Sequence, residues 1–187
     1  MAKLTISDLD VKGKKVLMRV DFNVPVENGV ITDDNRIVEA LPSINYVTQR
    51  GGLVILMSHF GRPKSADDKE FSLKIVADYL SKLVPEKVHF ATDCIGDVAK
   101  SVIDSANFGE IVLLENVRFH KGETKNDPDF SKALSELGDV FINDAFGSSH
   151  RAHSSVAGIT DYVQPAAAGF LLEKEIKYLS ESVNSPK

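Results

Sequence analysis

Tryptophan is absent from these 187 residues, and cysteine occurs once, as Cys94. A single thiol excludes an intrachain disulfide and with it the stapled class of small secreted domains; a reducing compartment is compatible. Cys94 has no activating neighbour in sequence and reads as a small buried side chain. No apolar run approaches the roughly 18 residues that a membrane-spanning helix needs. The opening stretch "MAKLTISDLDVKGKK" alternates charged and apolar residues and lacks the apolar centre of a signal peptide. A cytoplasmic protein without membrane contact is therefore expected. Positive charge is in deficit, with 22 Lys and Arg against 27 Asp and Glu, and the net charge is −5. With no Lys/Arg-rich run either, a nucleic-acid partner is not expected. Glycine fingerprints are missing too. There is no G-x-x-x-x-G-K-[ST], and "RVDFNVP" (19–25) stands where a G-x-G-x-x-G would follow the first apolar run. The chain shows no nucleotide site of its own, and no internal repeat.

What is present is a series of short runs rich in Val, Ile and Leu, at 15–22, 53–60, 87–91, 111–119 and 140–146. They are continuous rather than alternating, the pattern of strands buried on both faces of a parallel sheet. Helical spacing fills the intervals. Residues 36–50 place Ile37, Leu41, Ile44 and Val47 on one face before Gly51 and Gly52; residues 72–83 space Leu73, Val76, Tyr79, Leu80 and Leu83 behind a Ser72 cap. Residues 128–137 open with Pro128 after Asp127 and stop before Gly138. A last helix is expected over about 171–182; its apolar residues Phe170, Leu171, Ile176, Tyr178 and Leu179 are too spread for one stripe. It reads as an element that buries two sides, followed by a linker. The alternation predicts an α/β fold, a three-layer α/β/α sandwich around a mainly parallel, Rossmann-like sheet of about six strands. Residues 24–35 read as a loop, so Arg36 opens the next helix near the first strand's exit.

Ligands of open α/β sheets bind outside the carboxyl ends of the strands. There the runs finish in Asp21 and Asn23, in His59 and Arg62, in Arg118, and in His150 and Arg151, with His153 two residues on. Taken singly, each has a plain structural explanation: a lone Arg is usually solvated, and Asp21 could serve only as an ion-pair partner of Arg19 or another strand-end arginine. Gathered on one rim, the cations would repel one another unless an anion sat among them. Arginine forks pair with carboxylate or phosphate, and an acceptor beside an amide, Asp21 with Asn23, suits a hydroxyl. A short hydroxy acid carrying a phosphate satisfies every group. "HRAH" (150–153) spaces two histidines i, i+3 without cysteine or a carboxylate cluster, so no metal site is expected.

Four ordered motifs carry a resemblance. "VLMRVDFNVP" (16–25), "SHFGRP" (58–63), "LLENVRF" (113–119) and "NDAFGSSHRAHSS" (143–155) resemble the substrate-side motifs of phosphoglycerate kinases, and "GFLLEKEIKYL" (169–179) resembles the segment leading into that family's interdomain region. The departures are Phe60 where Leu is commoner and Ser148-Ser149 where Thr-Ala is commoner; neither removes a charged group. The resemblance implies a cytoplasmic, monomeric, two-domain transferase of glycolysis and gluconeogenesis. It would pass a phosphoryl group between 1,3-bisphosphoglycerate and ADP, giving 3-phosphoglycerate and MgATP. By position in the motifs, Asp21 and Asn23 would meet the substrate's hydroxyl and carboxylate region, and Arg36 would be the catalytic residue nearest the transferring group. His59, Arg62, Arg118 and Arg151 would complete the anion site, within a basic patch of Arg19, His150 and His153. Residues 1–170 would form the phosphoglycerate-binding domain and 171–187 the interdomain helix and start of the linker. The nucleotide domain, with its MgATP or MgADP, would lie outside this chain, which itself needs no cofactor. Alone, the chain would bind 3-phosphoglycerate without catalysing transfer. Two rivals stay open: a stand-alone sensor of a phosphorylated acid, and a nucleotide-dependent enzyme on a similar sheet, which the missing glycine fingerprint disfavours.

Overall fold

A computed structural model describes residues 4–185; residues 186 and 187 of the expected linker lie outside it. In chain order the elements are β1 (Lys15–Arg19), a hairpin of β2 (Val26–Glu27) and β3 (Val30–Ile31), α1 (Asn35–Gln49), β4 (Leu53–Met57), α2 (Lys74–Leu83), β5 (Val88–Ala91), α3 (Gly96–Ser105), β6 (Ile111–Leu114), α4 (Pro128–Ser135), β7 (Val140–Asn143), β8 (Ala166–Ala168) and α5 (Phe170–Asn184). Six strands make one sheet in the order β5-β6-β4-β1-β7-β8, and every neighbouring pair is parallel. No helix among the described residues is long and apolar enough to cross a membrane.

The continuous apolar runs are strands covered on both sides. Val16, Met18, Val54, Leu56, Leu113 and Ile142 face a core shared with Ile37, Ile44 and Val47 of α1 and Val76 and Leu80 of α2. Leu17, Ile55, Met57, Val112, Leu114 and Phe141 face the other core, with Ala99 and Ile103 of α3 and Phe130 and Leu134 of α4. This is the three-layer sandwich that the alternation implied. At about 25 cal/mol per Å² of apolar surface removed from water, the two cores are the main source of stability.

The strands are shorter than the apolar runs, each ending where the chain turns polar: β1 at Arg19, β4 at Met57, β6 at Leu114 and β7 at Asn143. The loop read over 24–35 contains the β2–β3 hairpin, whose Asn28 and Gly29 adopt positive φ of 51° and 75°, the Asn-Gly turn that a two-residue hairpin favours. The third expected helix is confirmed as α4, with Asp127 accepting from the Phe130 amide at 2.9 Å. Ser72 does not cap α2 as its N-cap residue, which is Leu73; its hydroxyl accepts from the Lys74 amide at 3.2 Å and donates to Glu115 at 2.7 Å. Two elements carry no expectation from the pattern. α3 opens on Gly96 at φ 71° without a polar cap and buries only Ala99 and Ile103. β8 is three alanines, held by its register with Phe141–Asn143 and by the Ala168 amide on the Leu4 carbonyl at 3.0 Å.

α5 leaves the sheet from β8, pinned at its start. Asp144, fully buried beyond β7, accepts from the Leu171 and Leu172 amides at 2.9 and 3.3 Å. Burial pushes its carboxyl up to about 6, with the Ser43 hydroxyl and the two amides opposing the rise. Gly169 is required here, since a Cβ would lie 2.3 Å from Asp144 Oδ1. Phe170 then packs edge-on against Tyr46 of α1, 5.2 Å between centroids.

Candidate functional site

The polar residues singled out from the sequence follow β1, β4, β6 and β7, and these four strands are consecutive in the sheet, in the order β6-β4-β1-β7. Their carboxyl ends therefore deliver their loops to one rim. Buried polar side chains fix those loops. Asn116 accepts from the Phe60 and Arg118 amides at 3.2 and 3.0 Å and donates to the Phe60 and Phe71 carbonyls at 2.6 and 3.0 Å. Ser58 accepts from the Phe22 amide at 2.9 Å, and Glu115 from the Leu73 and Asn116 amides at 2.8 and 2.9 Å. A buried polar group left unpaired costs about 1–3 kcal/mol, so these bonds specify the loop positions.

A cleft of about 540 Å³ opens on this rim. Arg62, Arg118 and Arg151 line it with Lys64, Lys121, Lys125 and His153, and no carboxylate is among its lining residues. Two of its polar atoms are buried without a partner, Arg118 Nε and His153 Nδ1. Burial and then Arg151 lower the Arg118 pKa, while burial pushes His153 down. Concentrated positive charge without an internal counter-ion is what an anion site requires.

Arg36, at the start of α1, does not line that cleft. Its guanidinium donates to Asp21 Oδ1 and Oδ2 at 3.1 and 3.2 Å and to the Asn23 carbonyl at 3.0 Å. Arg36 and Asp21 line an adjoining hollow of about 220 Å³ with Glu39, Phe146, Gly147, Leu171 and Glu175. The ion pair expected of Asp21 is thus real, with Arg36 rather than Arg19. A hydrogen-bonded strip joins the two hollows: Asn23 Oδ1 accepts from the Gly61 amide at 2.8 Å, and the Gly61 carbonyl accepts from Arg118 at 3.3 Å. Arg36 keeps its side chain 51% exposed and available, against 18% for Asp21.

Beneath the rim lies a charge network that differs from the expected patch. Arg19 is 0% exposed and cannot belong to a surface patch. It donates to Ser155 Oγ at 2.8 Å, to the Val20 carbonyl, and to His59 Nδ1 at 3.0 Å. Ser155 passes its own proton to a bond with Glu123 Oε1, and its amide reaches Glu123 Oε2 at 3.0 Å. Burial pulls the Arg19 pKa down, and the charges of Glu123 and then Asp21 hold it up. His59, counted among the rim cations on sequence, is 7% exposed and neutral: burial, then Arg19, Arg118, Arg151 and Arg36, push it down to about 2. His150 is exposed and lines neither hollow.

The family profile for phosphoglycerate kinase matches residues 6–187. The chain belongs to the phosphoglycerate kinase family. It is 54% identical over 187 residues to the phosphoglycerate kinase of Thermosipho africanus, covering all of this chain and 46% of the relative, and 53% identical to that of Chloroherpeton thalassium, covering 47% of it. Among solved structures it is similar to phosphoglycerate kinase from Coxiella burnetii, with TM-score 0.87 and 39% identity over all of this chain and 46% of that one. The Pyrococcus horikoshii enzyme gives TM-score 0.88 at 33% identity over 98% of this chain and 46% of its own. The chain thus spans about half the length of the phosphoglycerate kinases it matches.

Phosphoglycerate kinase motifs led sequence reasoning to the arginines of the rim but not to Lys64, Lys121 and Lys125, which look like ordinary surface lysines until the loops converge. "HKGETK" (120–125), directly after the "ENVRF" motif, was the available signal. Ser155 closes the motif at 143–155 and Glu123 lies within "HKGETK", but nothing in the sequence marks the two as partners of a buried arginine. One cluster among the described residues brings metal-ligating atoms together: Asp93, Cys94 and His120, within 4.8 Å of one another. His120 Nε2 and Asp93 Oδ1 already satisfy each other at 2.7 Å, and burial followed by the charge of Asp93 pushes the Cys94 thiol well up. That protonated thiol is an inert core side chain, as Cys94 was read.

Proposed function

We propose that this chain is the phosphoglycerate-binding half of a phosphoglycerate kinase, a cytoplasmic glycolytic enzyme that passes a phosphoryl group between 1,3-bisphosphoglycerate and ADP. The carrying observation is the carboxylate-free cleft lined by Arg62, Arg118 and Arg151. 3-Phosphoglycerate has a phosphate and a carboxylate at its two ends and a hydroxyl between them. The phosphate suits the arginine and lysine cleft, and the strip through Gly61 and Asn23 leads from there to Asp21 and Arg36. Asp21 and Asn23 receive the hydroxyl and carboxylate region, His59 donates a hydrogen bond with Arg19 buried behind it, and His153 lines the cleft.

Phosphoryl transfer asks of protein mainly positioning and charge stabilisation. The carboxylate of 3-phosphoglycerate is ionised at neutral pH and attacks without a general base, so Asp21 holds and orients rather than abstracts a proton. Arg36, half-exposed beside the carboxylate end, supplies positive charge to the transferring group. MgATP and MgADP are substrates held by the remainder of the enzyme, and closure of the two halves excludes water from the acyl phosphate. The exposed second half of α5 is the element that leads to that remainder.

The test is a titration of this chain with 3-phosphoglycerate, followed by calorimetry and by imidazole NMR signals, with sulfate as control. Saturable binding that is stronger than sulfate and is weakened tenfold or more in Arg118→Ala is expected. Binding no stronger than sulfate, by a folded chain, overturns the reading. In the full-length enzyme Arg36→Ala is expected to lower kcat more than substrate affinity; a raised KM at unchanged kcat would make Arg36 a plain binding residue.

A further inference from the structure

We infer that Arg19 is a positioning residue that fixes His59 as the neutral, Nε2-protonated tautomer, so that His59 offers the site one N–H donor and never a cation. The guanidinium keeps its proton at every accessible pH, and all of its nitrogens are donors with no acceptor among them. The imidazole atom facing it, Nδ1 at 3.0 Å, must therefore accept. An imidazolium has no acceptor nitrogen, and the Nδ1–H tautomer would set two donors against each other. The neutral form with hydrogen on Nε2 is the one state that makes this bond. Nε2 itself has no partner among the described residues and is not one of their sealed unpartnered atoms, so the slight exposure of His59 lies on that side.

The geometry leaves no freedom to relax the pairing. Arg19 is the last residue of the central strand β1 and is fully enclosed, with Nε held by Ser155 and another nitrogen by the Val20 carbonyl. The buried positive charge is balanced by Glu123 through the Ser155 hydroxyl. The charges that press on His59 are positive: Arg19 from β1, Arg118 after β6, Arg151 after β7 and Arg36 from α1. The carboxylates nearby are committed elsewhere, Glu123 to Ser155 and Asp21 to Arg36.

The consequence for recognition rests on the function proposed above. A histidine in an arginine-rich anion site ordinarily takes up a proton when the anion arrives, because the ligand's charge raises its pKa. Here that response is blocked from behind. His59 must be met by an acceptor oxygen and discriminates against a ligand that presents a hydroxyl or amide hydrogen at that point, while substrate binding draws no proton to it.

The experiment is long-range 1H–15N correlation NMR on the chain labelled at its five histidines, with His59→Gln to assign the resonance. The expected result for the free chain is the Nε2–H pattern for His59, unchanged between about pH 5 and 8, where an ordinary histidine titrates. An Nδ1–H pattern, or an imidazolium appearing in that range, overturns the inference. Arg19→Met, which removes the donor while keeping much of the bulk, should release the tautomer, so that an Nδ1–H form of the still neutral ring appears beside the Nε2–H form; a folded variant that keeps the Nε2–H form alone also overturns it. If Arg19→Met does not fold, the wild-type spectra decide alone. Addition of 3-phosphoglycerate separates the two proposals: the expected tautomer without a ligand shift counts against the substrate reading and leaves the role of Arg19 standing.

Discussion

Two buried titratable residues make opposite demands on pH. The Asp144 carboxyl is raised to about 6 from its usual 3.8. The folded state therefore holds its proton longer, and stability from this group, complete below 3.8, is lost as pH rises through 6. The charged form costs on the order of 3 kcal/mol at neutral pH. Asp144→Asn keeps the acceptor for the two α5 amides and removes the titration. Its urea midpoint should gain on that of the parent between pH 4 and pH 7 by a difference of that order; parallel curves would mean that the carboxyl is not strained by its burial. His59, lowered to about 2 from 6.5, acts the other way: the unfolded chain binds the extra proton, so its contribution fades as pH falls below 6.5. At the cleft, Arg118→Lys should not restore the affinity lost in Arg118→Ala, because a point charge on a flexible stem replaces a fork; calorimetry with 3-phosphoglycerate checks this. The arginines of the rim were legible because each closes an apolar run. Arg19 was legible as a charge but not in its place, since what encloses it, Ser155 and Glu123, comes from loops more than a hundred residues away in the chain.

Among the elements, the loop after β4 depends on Gly61. It sits at φ 60°, where a Cβ would come within 2.3 Å of the Phe71 ring, and its amide and carbonyl join Asn23 to Arg118. Gly61→Ala is expected to destabilise the fold by about 1–3 kcal/mol and to weaken phosphoglycerate binding with it, read from denaturant unfolding and calorimetry together. Pro42 carries the opposite expectation. It stands exposed inside α1, where it removes one amide donor from the helix. Pro42→Ala should raise stability by about 1–3 kcal/mol without touching the site; a lower melting temperature would show that the ring is needed where it is. The elements that could be read from the sequence were those whose apolar residues are β-branched or fall on one helical face, such as β4 or α2. β8 could not, because alanine has no strand preference and its place is set by β7 and by Leu4 across the edge. Nor could α3, whose glycine start resembles a break.

At the scale of the whole molecule, the sheet is closed on both faces but α5 is not. Past Leu172 its apolar residues face water, with Tyr178 68% and Val183 77% exposed and Ile176 and Leu179 beside them. Exposed apolar surface of this kind favours association. Sedimentation velocity of the isolated chain should show association rising with concentration, abolished by Tyr178→Glu with Val183→Glu; a concentration-independent monomer would show that the helix tolerates its exposure. The guanidinium under the rim also sets an order in time. A chain made from its amino end releases Arg19 early, while Ser155, which shields that charge, emerges 136 residues later. Until then the central strand carries a cation without the hydroxyl that, in the folded chain, links it to Glu123. The charge of the first strand made is thus matched only once the loop between β7 and β8 is complete.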